Sequence, residues 1–192
     1  MKRRWLAAVL VCSLGLLGAC GEKEVETVAP WPSAAARTMQ PDHAPTPFTA
    51  EQIREACPVG RRTTFRVEMP GRTPFLQTFH FTAADDQGAE VTFTIRDEEG
   101  RSLGEPTTSK SAWRGFQAHA SYPSAQTAVT EAEETLPGGT FAGFLYRVDN
   151  GDTVIEAFFA RELPGPPVRM VRTRDGETEM VMTLVKHEPG GG

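Results

Sequence analysis

From Phe65 the chain is apolar at every second residue. Phe65, Val67 and Met69 alternate with Arg66 and Glu68. A period of two puts the three apolar side chains on one face of an extended strand; a helix would scatter them. The pattern demands a sheet with a buried face, and it recurs. Leu76 to Thr82 carries Phe79 and Phe81 on one face and His80 on the other, and Val91, Phe93 and Ile95 alternate with Thr92, Thr94 and Arg96. Pro70-Gly71, Asp85 to Gly88 and Glu98-Glu99-Gly100 are turns between and after these runs. Three runs at short spacing predict an antiparallel meander.

The alternation then stops. Ser111 to Ala120 holds Trp113, Phe116, Gln117 and His119 without a period of two. We expect a short helical insertion here, capped by Ser111, covering one face or one end of the sheet. Strands resume after Gln126. Ala128 to Thr135 is polar and Glu-rich, which predicts an edge strand or one buried on a single side. Thr140 to Val148 follows the Pro137-Gly138-Gly139 turn and aligns Phe144, Tyr146 and Val148. Asp149-Asn150-Gly151-Asp152 is a hairpin signal. Thr153 to Ala160 is apolar on both faces, which predicts a central strand covered twice. After the rigid Leu163 to Pro167 connector, Val168 to Arg174 and Glu177 to Val185 form a last hairpin with Met180, Met182 and Leu184 aligned. The count is roughly eight or nine strands. The expected class is mainly β: a curved antiparallel sheet or half-barrel with a short N-terminal helix and a short helical insertion. That helix is Thr49 to Cys57, where Thr49-Ala50-Glu51-Gln52 fits a capping box and Pro58 enforces the end.

The N-terminus reads as an address. Lys2, Arg3 and Arg4 precede an apolar run from Trp5 to Leu17, the pattern of a secretory signal and shorter than the roughly 20 residues that span a bilayer. The run ends in Leu17-Gly18-Ala19-Cys20, which resembles the lipobox of bacterial lipoproteins. The resemblance implies cleavage before Cys20, with acylation of its sulfur and its new amino group. Several acyl chains hold a protein at a membrane where one does not. Gly21 in place of Asp after the Cys implies, by the sorting rule of such lipoproteins, the periplasmic face of the outer membrane. The expected organisation is residues 1–19 as signal, 20–47 as a lipidated Cys with a Pro-rich tether, 48–188 as one β-rich domain, and 189–192 as a flexible tail.

The second half has a further cadence: Leu136-Pro137-Gly138-Gly139-Thr140-Phe141, then Tyr146, Phe158-Phe159-Ala160, Leu163-Pro164-Gly165-Pro166-Pro167-Val168-Arg169-Met170, and Met182-Thr183-Leu184-Val185. It resembles a group of uncharacterised bacterial envelope lipoproteins with a P-(A/G)-G-T-F turn and a P-G-P-P-V connector. More distantly, its strand rhythm is similar to the half-barrel of lipoprotein-sorting carriers, which implies an apolar cavity for acyl chains.

Charge narrows the partners. Losing Lys2, Arg3 and Arg4 takes the formal charge from −5 to −8, because residues 1–19 contain no acid. An acidic chain without a basic cluster is a poor nucleic-acid ligand. Of the three cysteines, Cys12 leaves with the signal and Cys20 is the anchor, so Cys57 stands alone. No intramolecular disulfide can then form, and Cys57 reads as a buried small hydrophobe.

No constellation carries catalysis. His43, His80, His119 and His187 are scattered, against the clustered spacing a metal requires. His119 and Ser121 are close, but no Gly-x-Ser-x-Gly elbow is present. Asp85-Asp86, Asp97 to Glu99 and Asp149 to Asp152 do not fit an EF-hand loop. No enzyme, metal or cofactor is expected. Phe65, Phe79, Phe81, Phe93, Phe144, Tyr146, Phe159, Met180 and Met182 either line a ligand cavity or are plain core. The first alternative makes the chain a membrane-tethered module for an apolar or lipid ligand. The second makes it a structural or interaction module of the envelope with a filled core, docking an envelope protein at the Trp113/Phe116 insertion or the Pro164 to Pro167 connector.

Overall fold

The alternating runs become strands of one sheet in a computed structural model, which describes residues 31–191. The signal, the lipobox and Cys20 lie outside the described residues. Four strands come first: β1 (Arg62–Glu68), β2 (Phe75–Ala84), β3 (Gly88–Arg96) and β4 (Thr107–Ala112). Five follow: β5 (Thr127–Leu136), β6 (Gly139–Asn150), β7 (Thr153–Ala160), β8 (Arg169–Arg174) and β9 (Glu177–Glu188). The order across the sheet is β4-β3-β2-β1-β9-β8-β7-β6-β5, and every pairing is antiparallel. The chain is mainly β, as expected. Two meanders are joined by one long-range pairing, β1 with β9, which carries a bulge between Thr64 and Phe65. β5 is the edge strand that its Glu-rich composition predicts. β4 forms the other edge; it was not predicted, because Thr107 to Ala112 has no apolar alternation.

The topology puts β4 and β5, consecutive in sequence, at opposite edges of nine strands. Eight spacings of about 4.8 Å make about 38 Å across a flat sheet. The link between them is α3 (Trp113–Ala118), a few extended residues and a 3-10 turn (Ser124–Gln126). It reaches at most about 35 Å. Curvature brings the edges within its reach and lays it over one face. The curl is also visible at β5. Arg169 of β8 donates two hydrogen bonds to Glu134 of β5, at 2.6 and 2.7 Å, across the two strands between them. The β5–β6 turn comes so near β9 that a Cβ on Gly138 would stand 3.2 Å from the Leu184 side chain. Phe158 and Leu184 are fully buried in a cluster with Phe65, Val67, Phe141 and Met182. Each such burial contributes about 1.5–3 kcal/mol.

The insertion is helical, but Ala112 occupies its N-cap without a side-chain bond, so Ser111 is not the cap. α2 (Ala50–Ala56) has the full capping box, Thr49 Oγ1 accepting from Gln52 N–H and Gln52 Oε1 accepting from Thr49 N–H.

Two boundaries need correction. The expected tether is part of the folded unit from Pro32 onward. A short helix, α1 (Ala34–Arg37), starts it. Ala44, Thr46 and Pro47 are buried. Ala44 N–H donates to the Tyr122 carbonyl, and Ser124 N–H donates to that of Asp42. Gln117 clamps this segment from α3: its Oε1 accepts from Ala50 N–H and its Nε2 donates to Thr46 Oγ1. Prolines limit regular structure here to the four residues of α1, but they do not prevent packing. At the other end, Gly191 N–H donates to the Val59 carbonyl, so the tail packs at least that far.

Candidate functional site: an apolar cleft on the covered face

Residues directly opposite in antiparallel strands share a face. The register puts Gln77 beside Ile95, Phe79 beside Phe93, and Phe81 beside Val91. The Phe79 and Phe93 rings meet edge to face, 4.8 Å between centroids. On the far side of the seam the same face carries Met182 beside Met170. Above it lie Ile53 of α2, Phe116 of α3, the loop residues His119, Ala120 and Tyr122, and the connector Gly165-Pro166-Pro167. Between roof and floor is an apolar cleft of about 470 Å³.

The structure divides the nine candidate residues. Phe79, Phe81, Phe93, Phe159, Met180 and Met182 line the cleft. Phe65 lies beneath, fully buried, its ring 5.3 Å from that of Phe79. Phe144 is covered by two cations, the Arg161 guanidinium 4.7 Å and that of Arg37 5.4 Å from its ring centre. Tyr146 is fully buried and donates its hydroxyl to the Pro45 carbonyl at 2.6 Å. Burial pushes its phenol up to about 12.

The insertion covers one face of the sheet, as its sequence leads one to expect. The expectation of an exposed docking patch at Trp113/Phe116 and the Pro164 to Pro167 connector needs correction, because these residues form the roof. Instead Trp113 is buried, its indole N–H donating to the Asp85 carbonyl, and Phe116 packs 6.0 Å from Phe81. The signal available was topological: a segment linking the two edges of a curved sheet must cross a face.

Most of the polar candidates in the sequence are engaged away from the cleft. Asp85 accepts the backbone N–H of Gln87 and Gly88, bonds that hold its carboxyl below the ordinary value. Asp97 is held by Arg101, and Asp149 accepts Gly151 N–H. Ser121 Oγ lies 2.8 Å from His43 Nδ1, while His119 turns to the cleft beside Phe116. Cys57 is fully buried; burial raises its thiol pKa, and Arg61 Nη1 donates to the sulfur at 2.8 Å. Among the described residues no three His, Cys, Asp or Glu side chains gather as metal ligands. No helix among them is long and apolar enough to cross a membrane.

No protein-family model matches the chain, and no curated protein matches it. One solved structure, titled "Crystal structure of MucB", is similar over 74% of this chain at 13% identity, with a TM-score of 0.48. The chain spans 57% of that protein's length.

Proposed function

We propose that the chain is a non-enzymatic lipoprotein of the bacterial envelope that holds an apolar or lipid ligand in the cleft between sheet and roof. The observation that carries this reading is the cleft itself. Its volume of about 470 Å³ falls within the roughly 300–1,000 Å³ of small-molecule sites. Its lining is almost wholly aromatic, aliphatic and Met, with Gln77, His119 and Tyr122 as the polar points. A filled core would have closed this space, because voids forfeit dispersion contacts.

The lipobox ending at Cys20 supports the membrane anchor and the envelope location, and Gly21 supports the outer membrane. Because the folded unit begins at Pro32, only residues 21–31 separate it from Cys20.

Native mass spectrometry tests the reading on residues 21–192, exported behind a cleavable secretory leader and purified gently. The expected result is a co-purifying lipid of defined mass that is lost in Phe81→Asp or Phe159→Asp. A bare protein mass, with no uptake of a fluorescent fatty acid afterwards, would sink the reading and leave the interaction module.

A further inference from the structure

One end of the cleft borders a group of buried polar atoms that nothing in the fold satisfies. Arg61 is almost fully buried, at 1% exposure. Its three hydrogen bonds all leave through Nη1, to the Ala56 and Pro164 carbonyls and to Cys57 Sγ. No carboxylate pairs with it, and its Nε–H has no acceptor. Two residues on, Thr63 Oγ1 is also buried without a partner, and so is His187 Nδ1. These residues are neighbours. Arg61 immediately precedes β1, and Thr63 of β1 sits directly opposite His187 of β9. Burial, and after it the charge of Arg61, holds the His187 imidazole below its ordinary pKa. Glu188, the nearby carboxylate, is bound by Lys186 at 3.3 Å.

None of the three residues lines the cleft itself, but two of them stand one residue behind its wall. Thr63 is the register partner of Phe79, a floor residue. Gly165 lines the roof, and a Cβ there would stand 3.5 Å from Arg61 Nη1 and 3.6 Å from Nη2. Its φ of +139° suits a glycine, and the missing side chain leaves the guanidinium close behind the roof. A buried cation without a counter-ion is costly. So is each buried donor without an acceptor. An oxyanion would give the Arg61 Nε–H and the Thr63 hydroxyl an acceptor, and His187 Nδ1 as well in the tautomer that protonates it, and a guanidinium is the side chain best matched to a carboxylate or phosphate.

We propose that the cleft takes an amphiphile, an apolar chain ending in a carboxylate or phosphate, and that Arg61, Thr63 and His187 receive this head. The inference rests on the ligand-binding reading above and specifies its ligand. The chain lies over Phe79 and Phe93, and the head turns towards Gly165.

The test compares cis-parinaric acid with its methyl ester, the same fluorescent chain with and without the charge, on residues 21–192. The acid is expected to bind at least about tenfold more tightly, the scale of one hydrogen bond to a charged group. Arg61→Gln should abolish that preference, whatever it does to the ester. Arg61 also holds α2 to the connector, so Thr63→Val, which preserves shape, is the second variant; it should reduce the preference about threefold. Equal affinity for acid and ester would overturn the head site and leave the cleft reading standing. Binding of neither would overturn both. Inorganic phosphate that binds the protein as tightly as the acid, without displacing the ester, would make the group a free-anion site and overturn the amphiphile.

Discussion

β7 and β2 are both apolar strands in the same sheet, yet their surroundings differ. On β7, Ala157, Phe158, Phe159 and Ala160 are all buried. Phe48 from the N-terminal segment meets Phe159 edge to face at 6.2 Å, and Tyr146 meets it at 5.3 Å. Phe158, on the other face, packs into the cluster with Phe141 and Leu184. On β2 the residues from Phe75 to His80 are only half-buried. Phe79 meets Phe93 edge to face beside it on the cleft floor, and what faces it above is open cleft. The two strands present the same kind of side chain to the same cover. What differs is the fit. The segment from Pro32 to Phe48 closes tightly on β6 and β7, whereas α2, α3 and the connector bridge over β2 and β3 without filling the space. A sheet that spends its packing at one end can keep a cavity at the other.

The strongest break in that contrast is removal of the covering segment. A chain beginning at Phe48 lacks the Arg37, Pro45 and Thr46 contacts on β6 and α3. It should lose its cooperative thermal transition by circular dichroism, whereas one beginning at Pro32 should keep it. Retention of the full transition in the shorter chain would mean the segment is dispensable. Next, Phe158→Ala should cost about 3–5 kcal/mol in urea unfolding, since the site cannot collapse. Phe79→Ala should cost only about 1–2 kcal/mol, as its ring is already partly exposed, and should weaken parinaric acid binding. Equal costs for the two would make the cleft floor ordinary core.

The contrast also has a pH signature. The raised phenol of Tyr146 means that the unfolded chain ionises near pH 10 and the native one near 12. Its stabilising contribution is complete below about pH 10 and fades between there and about pH 12. Tyr146→Phe should therefore flatten the alkaline fall in melting temperature. His187, with its depressed pKa, acts in the opposite window. Its contribution is present above about pH 6.5 and is lost as pH falls below that value. His187→Phe should reduce the acid sensitivity. The smallest expected effect is chemical: buried Cys57 should react with a maleimide in the native protein far more slowly than after denaturation, because only the thiolate attacks.

Much of this was legible in the alternation. Phe65-Val67 and Val91-Phe93-Ile95 could bury one side only as strands, and Thr153 to Ala160 announced its two-sided cover. Thr49 and Gln52 marked the start of α2 because a capping box is a four-residue event. Other features were invisible for a common reason: they depend on residues far apart in the chain. The pairing of Thr63 with His187 joins strands at opposite ends of the domain. The Pro-rich stretch before Phe48 looked like a spacer because its partners, Tyr122, Gln117 and Tyr146, lie far beyond it in sequence.

The sequence by itself determined which residues form strands, which face each side chain takes and where the hairpins turn, since period and turn chemistry act over a few residues. Only the tertiary structure decided which strands adjoin, that the β4–β5 link crosses the covered face, and that the aromatic face is packed towards β6 but open over β2, with Phe159 of β7 at the boundary. Those outcomes depend on volumes and polar atoms brought together from several segments at once, and no local pattern records such a sum.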